Sequence, residues 1–161
     1  MPDPVATPSS QPFVTRAAEQ PRHGFGPTGG FAFPFAGHAG HPELVVERGG
    51  RGSSAPLHRH GWASWEIVLE GRVRFVVDGQ EHLLGPGDAI YTPPNVPHTY
   101  VIESETAQLV ALNEPSSRFE QLQREVAPMM AGPGQPDFAA IGKRAAELGV
   151  EVLGPPLTPR L

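Results

Sequence analysis

Glycine and proline turns cut the chain from residue 44 onward into short runs, which leaves room for strands and little room for long helices. Arg48-Gly49-Gly50, Glu70-Gly71, Asp78-Gly79, Gly85-Pro86-Gly87 and Pro93-Pro94 each interrupt a stretch of alternating apolar residues. Alternation with a period of two marks a strand with one buried face. Strands are expected from Leu44 to Glu47, across residues 58–70, and over Arg72–Val77, Glu81–Leu84, Ala89–Thr92, Thr99–Glu103 and Gln108–Leu112. Asp78-Gly79 suits a two-residue hairpin turn with positive φ, which sets Phe75 opposite His82. His82 then reads as a structural neighbour of Phe75. About eight strands separated by turns fit an all-β barrel or jelly roll, whose closure removes exposed edges.

Within this frame, His58 and His60 stand one residue apart ahead of an alternating run. On a strand both imidazoles leave the same face and aim at one point, as a metal with nitrogen ligands requires. A lone His-x-His is weak evidence, since most single histidines are hydrogen-bonded core or surface residues. It gains weight from Gly52, with five residues between it and His58, from Glu66 on the following strand, and from His98 at the end of Gly-Pro-Gly-Asp-Ala-Ile-Tyr-Thr-Pro-Pro-Asn-Val-Pro-His.

These two stretches resemble the two motifs of the cupin superfamily over roughly Leu44 to Leu112. Gly52, His58, His60 and Gly71 match the first motif; Gly87, Pro93 and His98 match the second. Asn95 stands where a glycine is usual, and Ile102 where an asparagine is usual. The resemblance implies a double-stranded β-helix, a jelly-roll barrel, with a metal held by the three histidines near its open end, and frequently a homodimer. The C-terminal segment is more narrowly similar to small single-domain, RmlC-like cupins of the quercetin 2,3-dioxygenase-like kind.

The family's fourth ligand, a glutamate, falls on Ser64 in this sequence. Glu66 lies on the same strand face about 6.6 Å further along. Either a register shift in Gly61-Trp62-Ala63 lets Glu66 ligate, or the site has three histidines with Glu66 behind them. A third reading makes Glu66 a nearby base, its pKa raised by an apolar barrel. Trp62, Ser64, Phe75 and Tyr91 are assigned to a mostly apolar substrate pocket, with Trp62 in a loop over the substrate. Imidazole and carboxylate donors suit one divalent ion of Fe, Mn, Ni, Co, Cu or Zn. The expected function is that of a metal-dependent dioxygenase acting on a small enol or phenolic molecule, flavonol-like or polyketide-like. The rival is a non-redox cupin: a metal-dependent cyclase or isomerase, or a small-molecule-binding module without catalysis.

The flanks differ in composition. Residues 1–24 are poor in large apolar groups and read as a mobile arm ahead of a barrel at 25–113. Phe25, Phe31, Phe33 and Phe35 are expected to pack across a sheet or onto a partner subunit, and His23, His38 and His41 to lie on the surface. Over 114–161 a helix capped by Ser116 or Ser117 is expected to run to about Val126, followed by a loop over Met129–Pro136. A second helix capped by Asp137 should run to about Leu148, ahead of an extended tail. Trp65, Ile67 and Leu69 face outward and call for cover by another subunit or by these helices.

The chain has no cysteine, which excludes disulfides, thiolate-bound zinc and a cysteine nucleophile. A formal charge of −5 and a single lysine, Lys143, argue against nucleic acid. No apolar run approaches the ~20 residues of a membrane span. The N-terminus lacks a basic and apolar leader pattern, so a cytoplasmic location is expected.

Overall fold

The computed structural model describes residues 7–24, 29–36, 40–115, 117–131 and 133–160. The sequence-based readings of Phe25, His38 and Ser116 lie outside these residues. The described residues form eleven strands and two helices. One sheet holds β1 (Arg22–His23), β2 (Gly30–Ala32), β3 (Glu43–Gly50), β10 (Thr106–Glu114), β5 (Ala63–Glu70) and β8 (Ala89–Thr92), in that order. The other runs β11 (Val150–Pro156), β4 (Pro56–His60), β9 (His98–Ile102), β6 (Val73–Val77) and β7 (Gln80–Leu84). All pairings are antiparallel, and the chain crosses repeatedly between the sheets, which is the jelly-roll arrangement of a cupin. More strands form than the turns alone suggest, because both flanks join the sheets. β1 falls inside the segment read as an arm, and β11 in the extended tail.

The hairpin of β6 and β7 turns at Asp78 and Gly79, with φ of 50° and 75°, and sets Phe75 opposite His82. Gly71 has a stricter duty. A Cβ there would stand 2.2 Å from the Thr106 carbonyl oxygen at φ 81°, so only glycine lets β5 turn beside β10. Between the sheets Val68, Val73, Phe75, Ile102, Ala107 and Leu109 form the apolar core. Each larger side chain there contributes roughly 1.5–3 kcal/mol relative to exposure.

A second cluster joins Trp62, Leu122, Val126, Ala145, Leu148 and Val150, so α1 (Phe119–Ala131) and α2 (Phe138–Glu147) pack beside the β4–β5 turn. α2 starts where expected, with the Asp137 carboxylate accepting from the Ala139 and Ala140 amides at 3.1 and 3.0 Å. α1 runs past Val126 and through Pro128 to Ala131, which corrects the expected loop at Met129. Proline removes one backbone donor, a loss that is tolerable in a last turn with exposed methionines. The start of α1 is held from across the fold: Glu43 of β3 accepts from the Glu120 amide at 2.8 Å and from the Ser117 hydroxyl.

The aromatics ahead of β3 pack on this helix. Phe31 and Phe33 lie 5.3 and 6.0 Å from Phe119, and Phe35 meets Phe13 edge-on at 5.7 Å. His23 is not a free surface residue, since its Nε2 lies 2.7 Å from the Glu120 carboxylate. His41 accepts from the Ser9 amide at 3.2 Å. Neither helix covers Trp65, Ile67 or Leu69, which stay 40, 44 and 45 % exposed. The tail is fastened instead to the other sheet. There the buried Arg74–Glu103 pair, at 2.7 Å, also engages the Thr158 carbonyl and the Arg160 amide. No helix among the described residues is long and apolar enough to cross a membrane.

Candidate metal centre

β4 presents His58 and His60 on its inner face, and β9 opens with His98 directly opposite His58. The rings of His58 and His98 are 4.2 Å apart, those of His60 and His98 4.7 Å, and those of His58 and His60 5.6 Å. One ring nitrogen from each lies within 4.8 Å of the others. The placement follows from local chemistry. The period of two aligns His58 with His60, and the elbow between Pro93 and Pro97 delivers His98. That elbow needs a left-handed residue, and Asn95 supplies it at φ 64°, where asparagine is tolerated better than most residues. Its amide donates to the His60 carbonyl at 2.7 Å, tying the elbow to β4. Thr99 and Ser54 close the seam, their hydroxyls donating to the Ala55 and Tyr100 carbonyls, each at 2.6 Å.

The hydrogen bonds of the three rings also select their tautomers. Nδ1 of His58 meets the Pro56 carbonyl at 2.7 Å, Nδ1 of His60 the Trp62 carbonyl at 3.0 Å, and Nδ1 of His98 the Val96 carbonyl at 2.9 Å. A carbonyl only accepts, so each Nδ1 carries the proton and each Nε2 keeps its lone pair. Backbone carbonyls behind ligating imidazoles are the usual support for a metal site. Burial, then the neighbouring imidazoles, lower His58 to about 4 and His60 to about 3, and burial lowers His98. Three rings that stay neutral with free lone pairs fit a divalent transition metal.

The remaining sequence-selected residues are spread around this point. Glu66 lies on the inner face of β5, outside the group of converging nitrogens. Burial, then the charge of Glu47, raise its carboxyl to about 8. Ser64 is buried and donates to Asn113 at 2.7 Å, and Asn113 in turn donates to Glu43 at 3.2 Å. Phe75 forms part of the apolar core, 5.8 Å from Tyr100. Trp62 does not sit over an opening. Its ring lies flat on His60, centroids 4.1 Å apart and 5° from parallel, and it is buried against the helices. Tyr91 stands on the edge strand β8, where it borders a cleft between β7 and β8. Its strand neighbour Thr92 is buried inward, so Tyr91 turns outward and packs on Trp65 at 5.1 Å.

Sequence reasoning missed Glu47 and Tyr100. The Tyr100 hydroxyl donates to Glu47 at 2.6 Å in the space between the sheets. Burial raises Glu47 to about 7 against the lowering effect of that bond. A signal was present: Glu47 shares the parity of the buried Val45, and Tyr100 that of His98.

Residues 44–113 match the family model described as a cupin domain. Over 70 residues the chain is 37 % identical to quercetin 2,3-dioxygenase of Bacillus subtilis, a match covering 43 % of this chain and 21 % of that protein. The chain thus spans about a fifth of the length of this relative. Among solved structures it is similar to KdgF from a Halomonas species, with TM-score 0.57 and 20 % identity over 65 % of this chain and 94 % of the other. An RmlC-like cupin from Shewanella frigidimarina gives TM-score 0.57 at 19 % identity, over 68 % of this chain and 96 % of the other. These structural likenesses speak for the fold. With the motif residues folded as two jelly-roll sheets around three converging histidines, residues 44–113 are a cupin domain.

Proposed function

We propose that the protein is a metal-dependent oxygenase acting on a small molecule with an enol or phenolic oxygen. In this reading His58, His60 and His98 hold one divalent transition metal ion. The observation that carries it is the matched set of three Nδ1–carbonyl bonds, which leaves three neutral imidazoles with lone pairs turned to one point. A bound ion of this kind supplies Lewis acidity toward a substrate oxygen and, when redox-active, reactivity toward dioxygen. The chain supplies the rest. Glu66, a buried carboxyl on the inner face of β5, serves as the proton acceptor or donor for a substrate hydroxyl. Phe75 walls the interior, and Trp62 holds the His60 ring flat from behind. The partial identity to a quercetin dioxygenase supports the oxygenase reading over a cyclase or isomerase.

Metal analysis of freshly purified protein, followed by oxygen uptake on adding a flavonol or simple polyphenol, tests the proposal. Bound transition metal with oxygen consumed in step with substrate is the expected result. Substrate turnover without oxygen uptake would assign the site to Lewis-acid chemistry, and protein that takes up no metal would contradict both.

A further inference from the structure

The two sheets part on one side. β8 ends one sheet and β7 ends the other, and the turn at Gly85–Asp88 joins them. Between these edges lies a cleft of about 260 Å³ lined by Val77, Gln80, His82, Ile90, Tyr91 and Val96, with Asp78 and Pro93 at its end. Its walls are neighbours of the site. Val77 is the register partner of His98, and the Val96 carbonyl accepts from the His98 ring. Ile90 is the register partner of Glu66, and His82 that of Phe75. The helix side gives no such approach. There Trp62 lies on His60 and is itself buried under Leu122, Val126 and Leu148.

The lining also says what fits. Val77, Ile90, Pro93 and Val96 offer apolar walls, while Gln80, His82 and Asp78 put polar groups at an exposed rim. The volume falls just below the roughly 300–1,000 Å³ of sites for drug-sized molecules. A volume of this size suits one or two rings. We propose that the β7–β8 cleft is the entrance and ring-binding subsite of the centre. It takes a small, flat, hydroxylated ring whose inner oxygen faces the histidines and Glu66, while Gln80 and His82 recognise its outer edge. This deepens the oxygenase reading and depends on it only for the chemistry at the inner end.

The experiment uses 4-nitrocatechol as the probe. Gln80→Trp and His82→Trp fill the cleft from exposed strand positions that suit tryptophan. Met129→Trp on α1 is the control on the helix side. Calorimetry should show nitrocatechol binding to both metal-free and Co(II)-loaded wild type. Either cleft variant should weaken it by about tenfold or more, a change of about 1.4 kcal/mol, with melting temperature and metal content unchanged. Met129→Trp should bind as wild type does. Azide is small enough to pass and should shift the Co(II) spectrum in every variant. An azide-silent protein would sink the metal reading, and the metal-free calorimetry would still judge the cleft. Should a tryptophan variant lose its melting transition, His82→Leu replaces it. Losing the rim hydrogen bond should then weaken binding by about two- to tenfold. Wild type that binds no nitrocatechol in either form, rim variants that bind it unchanged, or a Met129→Trp block would each overturn the proposal.

Discussion

Tyr100 donates its hydroxyl proton to Glu47 at 2.6 Å, and Glu66 stands close enough to Glu47 for their charges to repel. Burial dominates both carboxyls, raising Glu47 to about 7 and Glu66 to about 8 from an ordinary 4.5. Folded protein therefore keeps protons that the unfolded chain has released. The stability these groups contribute is full below about pH 4.5 and is lost as pH rises through 7 and 8. In metal-free protein, melting temperature should fall less between pH 5 and pH 9 in Glu47→Gln or Glu66→Gln than in wild type. Identical slopes in all three would show that neither carboxyl is protonated by its surroundings.

Removing the charge of Glu66 should separate ligation from proton handling. Glu66 lies outside the converging nitrogens. Glu66→Gln should keep the metal and leave the visible spectrum of a Co(II)-loaded form unaltered, while turnover falls by about 10²–10⁴-fold. A marked loss of metal affinity would make Glu66 a ligand. Full activity would remove it from the mechanism and turn attention to Ser64.

Trp62 joins the centre to the helices, and its loss should be felt in both. Trp62→Ala deletes the ring stacked on His60 and opens the cluster around Leu122, Val126 and Leu148. A buried tryptophan of this kind contributes about 3–5 kcal/mol. Denaturant unfolding should show that loss, together with weaker metal retention. A stability change under about 1 kcal/mol would mean the helices pack independently of the site.

The outer face of the larger sheet predicts an assembly. Trp65 and Ile67 line a groove with Leu44, Val110 and Leu112, and Leu69 and Tyr91 stay exposed beside it. A contiguous apolar face of this sort is costly in water, and the C-terminal helices pack elsewhere. A second copy of the chain is the expected cover. Light scattering should report a dimer that Ile67→Glu converts to a monomer with its fold intact. A monomeric wild type at micromolar concentration would contradict it.

Much of this was legible where the determinant is local. Turn glycines and a period of two set the strands, Asp78-Gly79 set the register of Phe75 with His82, and Asp137 marked its helix. The histidines were legible because two share a strand and the proline elbow delivers the third. What escaped is non-local. Glu47 and Tyr100 are 53 residues apart and become partners only when β3 and β9 face each other. Trp62 is drawn away from the opening by residues 60 to 88 positions later, and no local pattern near it announces them. Tyr91 was assigned to the pocket from its chemistry; the burial of Thr92 turns it outward, and it borders the cleft from the edge of β8.

The most direct measurement is the metal content of single-histidine variants. His58→Ala, His60→Ala and His98→Ala each remove one of three converging imidazoles. The remaining two leave too little binding energy to hold an ion through purification. Elemental analysis should find close to one transition metal ion per chain in wild type and a small fraction of that in each variant, with far-ultraviolet circular dichroism unchanged. A triple variant that kept a full complement of metal at wild-type affinity would place the metal elsewhere and contradict the account.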